Sequence, residues 1–409
     1  MTRPIFVCIA IFLAVISAIA TAAENTLSKD GLLPGEPILN VRIRHEYADQ
    51  DGKYTGHATT LRTLAGWRSG SWHKFSGIVE LIDVGRLNND YNDNLNGKTR
   101  YPVIADPDNT DINQLYLDYG GWPDTVIRAG RQSIKLDNMR FVGNVEFRQV
   151  MQVFNGVTLE NKGLPDTRIY AGYLGRIKTV SNRQFETDTI LLNVRYSFSP
   201  TETLAVYGYF QDQPNAIAPS AFGGTAPSDT SNRIIGIRLD GNRPLDGQWQ
   251  FVYTGEVARQ RPHASGDDRI DAMYLRIGIG GQWRGYLLRI DEEILDSNQG
   301  QYAVQFPLAT NHLFQGWADQ FLVTPRQGIR DVYFTGGAKI GKFQFLAEYH
   351  HFNSDVADIN IGKEFDFSAA YPFTPNLLGK VEIADFRARD TPVGKTDLQR
   401  TWMTVVLNY

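Results

Sequence analysis

Cysteine is almost missing from this chain: its 409 residues include one, Cys8. It lies inside an apolar stretch running from Ile5 to about Ala20, after Arg3 and before the small residues Thr21, Ala22 and Ala23. That is the layout of a secretory signal peptide, expected here over residues 1–22. Cys8 fills the apolar stretch and is not a lipid-attachment site, so residues 23–409 carry no thiol, disulfide or cysteine-based metal centre. A surplus of basic charge is missing too: 41 Lys and Arg stand against 45 Asp and Glu, which excludes a general attraction to nucleic acid. Beyond the signal, no apolar run approaches the ~18–20 residues a membrane helix needs, and the mean hydropathy is −0.31. No segment sustains a 3.6-residue apolar period, so helices should be few.

What the chain has instead is alternation. From Leu39 onward, apolar and polar residues alternate in segments of roughly ten to thirteen, bounded by Gly, Pro, Asn or Asp. LNVRIRHEY (39–47), TILLNVRYSF (189–198) and AMYLRIGIG (272–280) are examples, and about eighteen such segments succeed one another. Their links alternate in length, tight at 68–71, 120–123, 199–201, 243–247, 282–284, 339–341 and 372–376, and long at 85–111, 133–146, 212–230, 259–268, 295–328 and 353–362. Short turns at one end, long loops at the other and an even strand number describe an outer-membrane barrel. Trp67, Trp72, Trp122, Trp249 and Trp283 fall in or beside short turns, where an interfacial aromatic girdle would need them. The final MTVVLNY puts Met403, Val405, Leu407 and Tyr409 on one face, an ending similar to the C-terminal signal of such barrels. The expected fold class is therefore all-β: a single up-and-down transmembrane β-barrel of about 18 antiparallel strands. It would occupy residues 23–409, in the outer membrane of a Gram-negative cell and in contact with its lipid.

With the apolar set of each strand facing lipid, the pleat turns the other set toward the lumen. This puts Arg42, Arg44, Arg62, Arg128, Arg168, Arg176, Arg195, Arg238, Arg276 and Arg289 inside, with Lys380 and Arg400. Glu46, Asp118, Glu160, Asp240, Glu256, Asp291 and Glu348 join them. A barrel this wide encloses an aqueous channel, so such charges can stay hydrated. Of the basic residues 29 are Arg and 12 are Lys, and the guanidinium fork matches a carboxylate or phosphate. Two readings of the wall are open: a positive lining that hands an anionic solute along, or arginines that brace the wall by pairing with neighbouring carboxylates.

Other motifs carry less. DYNDNLNGKTRY (90–101) has calcium-loop spacing at Asp90, Asn92 and Asn94, but Leu95 and Tyr101 replace the required Gly and Glu, so it reads as a solvated outer loop. GIGGQWRG (278–285) has Trp283 at the third glycine's place and is no dinucleotide fingerprint. His350 and His351 are adjacent on a strand and point to opposite faces, which disfavours metal ligation by the pair. No G-x-S-x-G nucleophile motif is present, and strands begin too early for a transporter plug. Neither an enzyme nor a cofactor is expected.

GRQSIKLDNMRFVGNVEFRQVMQVFNGVTLEN (130–161) and NHLFQGWADQFLVTPRQGIRDVYF (311–334) are a different matter. The first resembles the signature stretch of the alginate-export family of outer-membrane porins, G-R-Q followed by L-D-N-x-R-F-V-G and R-Q, and the second also matches. The resemblance implies an eighteen-stranded, monomeric barrel whose arginine-lined constriction passes an anionic uronate polymer, together with a periplasmic export complex as partner. It brings Arg131, Arg140 and Arg148 into or near the pore. Strict alternation turns Arg131 outward once Arg128 faces in, so its pore placement requires a β-bulge near Gly130. The turn YPFTPN (371–376) leaves little room for the long periplasmic gating loop of the exporter. Uptake of small anions such as oligouronates, organic acids or phosphate is the alternative function.

Overall fold

The computed structural model describes residues 35–213, 229–389 and 392–409, and the expected signal peptide lies outside them. Alternation becomes strand at every segment. The first strands are β1 (Glu36–Gln50), β2 (Gly56–Arg68), β3 (Phe75–Arg86), β4 (Asn109–Tyr119), β5 (Thr125–Gln132), β6 (Val153–Asn161) and β7 (Thr167–Lys178). They continue with β8 (Gln184–Ser199), β9 (Glu202–Asp212), β10 (Asn232–Asp246), β11 (Trp249–Pro262), β12 (Ala272–Trp283) and β13 (Tyr286–Leu295). A small hairpin, β14 (Ser297–Asn298) with β15 (Tyr302–Ala303), belongs to the next loop. The last strands are β16 (Ile329–Ile340), β17 (Phe343–Asn353), β18 (Asn360–Thr374), β19 (Leu377–Ala388) and β20 (Leu398–Asn408). All but the small hairpin form one 18-stranded sheet in which each strand pairs antiparallel with its chain neighbour and β20 closes on β1. Closure leaves no unpaired sheet edge, which is what a strand-built membrane protein requires.

Leu39 and Tyr409 exchange backbone hydrogen bonds of 3.2 and 2.8 Å, so both ends of the barrel sequence meet at one rim. The tight turns lie at this rim, including the two-residue links 247–248, 284–285, 341–342 and 375–376. Trp72, Trp122, Trp249 and Trp283 stand there exposed, and Trp249 and Trp283 are direct cross-strand partners with ring centroids 6.0 Å apart. At the opposite rim most links are long, but 354–359 has six residues and two others are shorter still. Residues 51–55 and 179–183 close as tight turns, held by Lys53 N–H to Gln50 O (3.0 Å) and Asn182 N–H to Thr179 O (3.1 Å). The expected strict short–long alternation is therefore relaxed at these two hairpins.

The outer face is apolar, as at Leu115, Leu117, Ile190, Val194, Ile277 and Leu288, all more than a third exposed. Two arginines expected in the lumen stand on this face instead. Neither ladder of β5 shifts register at Gly130. The chain bends there through a φ of +134°, where a Cβ would strike the Leu115 carbonyl oxygen. Arg131 consequently stays opposite Leu115 and bonds Asn155 Oδ1 (3.1 Å) and Ile112 O (2.9 Å). For Arg176, even spacing to Arg168 predicts an inward side chain. Gly175 is an extra residue between Leu174 and Arg176 in the ladder with β6, and such a bulge reverses the facing of the residues beyond it. Leu174 and Ile177 are buried, whereas Arg176 pairs with Glu186 at 45 % and 67 % side-chain exposure.

The lumen is not an open tube. An apolar core, with Tyr91, Ile104, Phe141, Tyr274, Phe306 and Phe352 among its members, fills its interior toward the long-loop rim. The 87–108 loop contributes to it through Tyr91 and Ile104, while its tip from Asn94 to Tyr101 stays exposed or half-buried as a solvated loop would. Tyr91 is fully buried and donates to Asp106 O (2.9 Å), and Asp93 caps the Leu95 and Asn96 amides while pairing with Arg86 at 2.8 Å.

Candidate functional site: the lumen lining and two inserted loops

The loop after β5 (133–152) and the loop after β13 (296–328) fold inward and lock together. Gly143 N–H donates to Leu308 O (2.8 Å), Thr310 N–H to Met139 O (3.0 Å), and Gln152 Nε2 to Leu308 O (3.1 Å). Asp137 and Met139 take positive φ values, 50° and 64°, and fold the LDN segment into the turn that aims Arg140 and Phe141 into the lumen. Phe141 packs among Tyr207, Tyr274 and Phe306, with centroids 5.2 to 5.4 Å away. Arg140 is 1 % exposed, pairs with Glu293 at 3.0 Å, donates to Gln315 (2.8 Å) and lies 3.6 Å over the Phe306 ring.

Arg148 fastens the two loops to the wall. Its guanidinium reaches Glu46 of β1 at 3.2 Å and Asp319 of the second loop at 2.5 Å. Burial alone would lower the Arg148 pKa, but the Glu46 and Asp319 carboxylates override it and hold it above the usual guanidinium value. Burial would likewise raise Asp319. His312, 2.8 Å away, and Arg148 outweigh this and keep its carboxyl well below the usual range. Arg400 of β20 completes the group, bonding Glu46 (2.6 Å), Ala318 O (3.0 Å) and Val103 O (2.9 Å), and so touches three different segments.

Most of the remaining inward arginines are neutralised. Arg128 forms a two-point pair with Asp118 (2.7 and 2.8 Å), and Arg168 reaches Glu160 at 2.5 Å. Arg195 pairs with Asp137 at 2.8 Å, Arg238 with Asp240 and Glu256 at 2.5 Å, and Arg276 and Arg289 share Asp291. Arg128 and Arg168, with Lys135 and Tyr170, line a recess of about 300 Å³. For these residues the bracing reading of the wall holds.

Arg42, Arg44 and Arg62 are different. Among the described residues no carboxylate lies within 4.0 Å of any of them, and Arg42 and Arg62 are direct Cα partners across β1 and β2. Like charges placed directly opposite are destabilising. What meets them is neutral oxygen: Gln149 Oε1 and Glu146 O at Arg42 (2.8 and 3.0 Å), Phe147 O and Thr404 Oγ1 at Arg44 (2.7 and 3.2 Å), and Asn40 Oδ1 at Arg62 (2.7 Å). Arg62 Nε and Nη1 are buried with no hydrogen-bond partner. The inward arginines without a direct carboxylate pair are concentrated here, covered by residues 146–149 and within the field of Asp106, Glu46 and Glu146.

Several residues that organise this site escaped the sequence reading: Gln149 as a cover, Glu293 and Asp319 as partners, and the inward course of 296–328. One signal existed. Phe314, Trp317, Phe321 and Leu322 are too apolar a set for a segment surrounded by water.

A family model described as "Alginate export" matches residues 39–292. No curated protein matches the chain significantly. Solved structures that it resembles include OpdL of Pseudomonas aeruginosa, 13% identical, with a TM-score of 0.68 over 92% of this chain and 98% of that one. OccAB2 of Acinetobacter baumannii is 15% identical, with a TM-score of 0.67 over 91% and 98%. OccK2 (OpdF) of Pseudomonas aeruginosa, solved in complex with glucuronate, is 14% identical, with a TM-score of 0.66 over 93% and 100%. At these identities the likeness is one of fold, that of an 18-stranded outer-membrane porin.

Proposed function

Because the chain belongs to the alginate-export family and folds as an outer-membrane channel, we propose that it passes a carboxylated saccharide, such as a uronate chain in the export direction, and works as a monomer. The observation that carries this is the unpaired cluster Arg42, Arg44 and Arg62. Three guanidinium groups on adjacent strands, met only by neutral oxygens, form a site with donors to spare for a carboxylate. Paired arginines further along the wall offer weaker, exchangeable contacts, which a conducting pore needs if the solute is to leave again. Arg131 and Arg176, on the outer face, take no part in this role. With a two-residue turn at 375–376, gating falls to the inserted loops and not to a periplasmic loop.

Reversal potentials in planar bilayers test the reading. The wild type should prefer chloride to potassium, R42E and R62E should reduce or invert that preference, and R131E should leave it unchanged. A wild-type preference for potassium would remove the proposal.

The interlocked loops favour a second reading, uptake of small anions. Beside the first of them, the wall of β4 to β7 keeps a recess of about 300 Å³, at the lower end of the ~300–1,000 Å³ of small-ligand sites. The glucuronate complex of OccK2 (OpdF) belongs to that protein, yet it names a solute of suitable size and charge. Current blockade by a uronate monomer but not by its polymer would select this reading over export.

A further inference from the structure

On the side of the lumen formed by β16, β17 and β18, carboxylates crowd around one imidazole. Asp331, Glu348, Glu364 and Asp366 all turn inward, and His350 stands among them at 3 % side-chain exposure. Asp331 takes the ring's Nδ1 at 2.9 Å from one oxygen and 3.1 Å from the other. The ring is clamped between Tyr333 and Phe352, with centroids 4.7 and 5.4 Å away. A carboxylate on Nδ1 orients the ring and presents Nε2 to an ion that displaces its proton, which is how ligating histidines are commonly prepared.

Nε2 is buried and has no hydrogen-bond partner. It points between Asp366 Oδ2 at 3.7 Å and Glu348 Oε2 at 4.0 Å. These separations are too long for a hydrogen bond and suited to sharing a cation. Two donors each ~2.1 Å from an ion stand ~3.4 Å apart at a tetrahedral angle and further apart as the angle opens. One ligand atom from each of Glu348, His350 and Asp366 lies within 4.8 Å of the others. Asp366 Oδ1 and Glu364 Oε2 are also buried and accept from no N–H or hydroxyl, the two carboxyl groups lying within hydrogen-bonding reach of one another, and no lysine or arginine is within 4.0 Å of Glu348, Glu364 or Asp366 among the described residues.

We propose that Glu348, His350 and Asp366 bind a divalent transition-metal ion of the zinc class at the lumen wall. The imidazole sets the class, since Ca²⁺ and Mg²⁺ favour all-oxygen shells. The same carboxylates hold the second inserted loop: Trp317 Nε1 donates to Glu348 (3.1 Å), Trp317 N–H to Asp366 (3.3 Å) and Ala318 N–H to Glu364 (2.6 Å). An ion at this point would tie β17 and β18 together beneath Trp317 and pin the 296–328 loop in the lumen.

The test uses the full-length folded barrel in detergent, stripped with a chelator, then titrated with Zn²⁺ by calorimetry and with Co²⁺ by visible absorption. One equivalent should bind, with Co²⁺ bands of a low-coordinate nitrogen–oxygen site that Zn²⁺ bleaches and excess Mg²⁺ does not. H350A and D366N should each weaken Zn²⁺ by at least about tenfold and D331N by ~10–100-fold. H351A, on the exposed face of the same strand, should bind as the wild type does. No saturable Zn²⁺ binding, displacement by Mg²⁺, or a folded H350A barrel with unaltered affinity would each overturn the site. Should the variants fail to fold, the wild-type Co²⁺ spectrum decides alone, and absent bands overturn it.

Discussion

Arg42 and Arg62 face one another across the first hairpin, and each donates only to neutral oxygen. Arg140 has the opposite arrangement, with one carboxylate, Glu293, in a fully buried pair. Removing one member of such a pair strands the other charge. R140A should therefore destabilise the folded barrel by about 3–5 kcal/mol, whereas replacing both residues by apolar ones of similar volume should cost far less. Urea unfolding followed by tryptophan fluorescence measures both, and equal losses in the single and double variants would contradict the pairing. Asp319 gives the pH dependence. Its folded pKa lies below its unfolded value near ~3.9. Its contribution is thus complete above that value and is lost as pH falls below it toward the folded pKa. Acidification through this window should loosen the joint between the loops, and D319N should reproduce the effect at neutral pH. Channel noise and conductance as functions of pH provide the measurement.

Among the elements, the strands were legible because period-two alternation is written directly into residues whose two faces meet lipid and a polar lumen. Eleven of the thirteen expected arginines do turn inward or lie on an inserted loop. The two exceptions have different origins: the register does not shift at Gly130, so Arg131 keeps the outward facing that alternation gives it, whereas an added residue at Gly175 reverses Arg176. A one-residue change reverses facing while barely altering the local sequence pattern. Loop packing was less legible, because the partners of Arg140 and Arg148 are distant in sequence and no period links them. The loops yield a prediction of their own. Gly143 approaches Thr310 so closely that a Cβ would collide with its Oγ1. G143V should separate the loops and raise single-channel conductance while the barrel's heat-modifiable mobility on gels is retained. An unchanged conductance would mean that this crossing does not limit flow.

At the scale of the whole molecule, the described wall is largely ion-paired, with its unpaired arginines local to β1 and β2 beneath residues 146–149 and its unpaired carboxylates on β17 and β18. Anion preference should accordingly fall as salt rises, because screening shortens the reach of a small charge cluster to a Debye length of about 8–10 Å near physiological strength. Reversal potentials across a salt series measure this, and a preference constant from low to high salt would point to steric selection. One contact joins wall to lumen in another way. Arg400 comes from the last strand and Glu46 from the first, and their pair spans the seam where β20 meets β1. The same guanidinium holds carbonyls of the 87–108 and 296–328 loops. Until the ring closes, Glu46 lacks this partner and both loops lack this shared anchor. Completing the cylinder and setting its contents are thus a single cooperative event, and a chain halted before its final strand would have neither a sealed wall nor a finished interior.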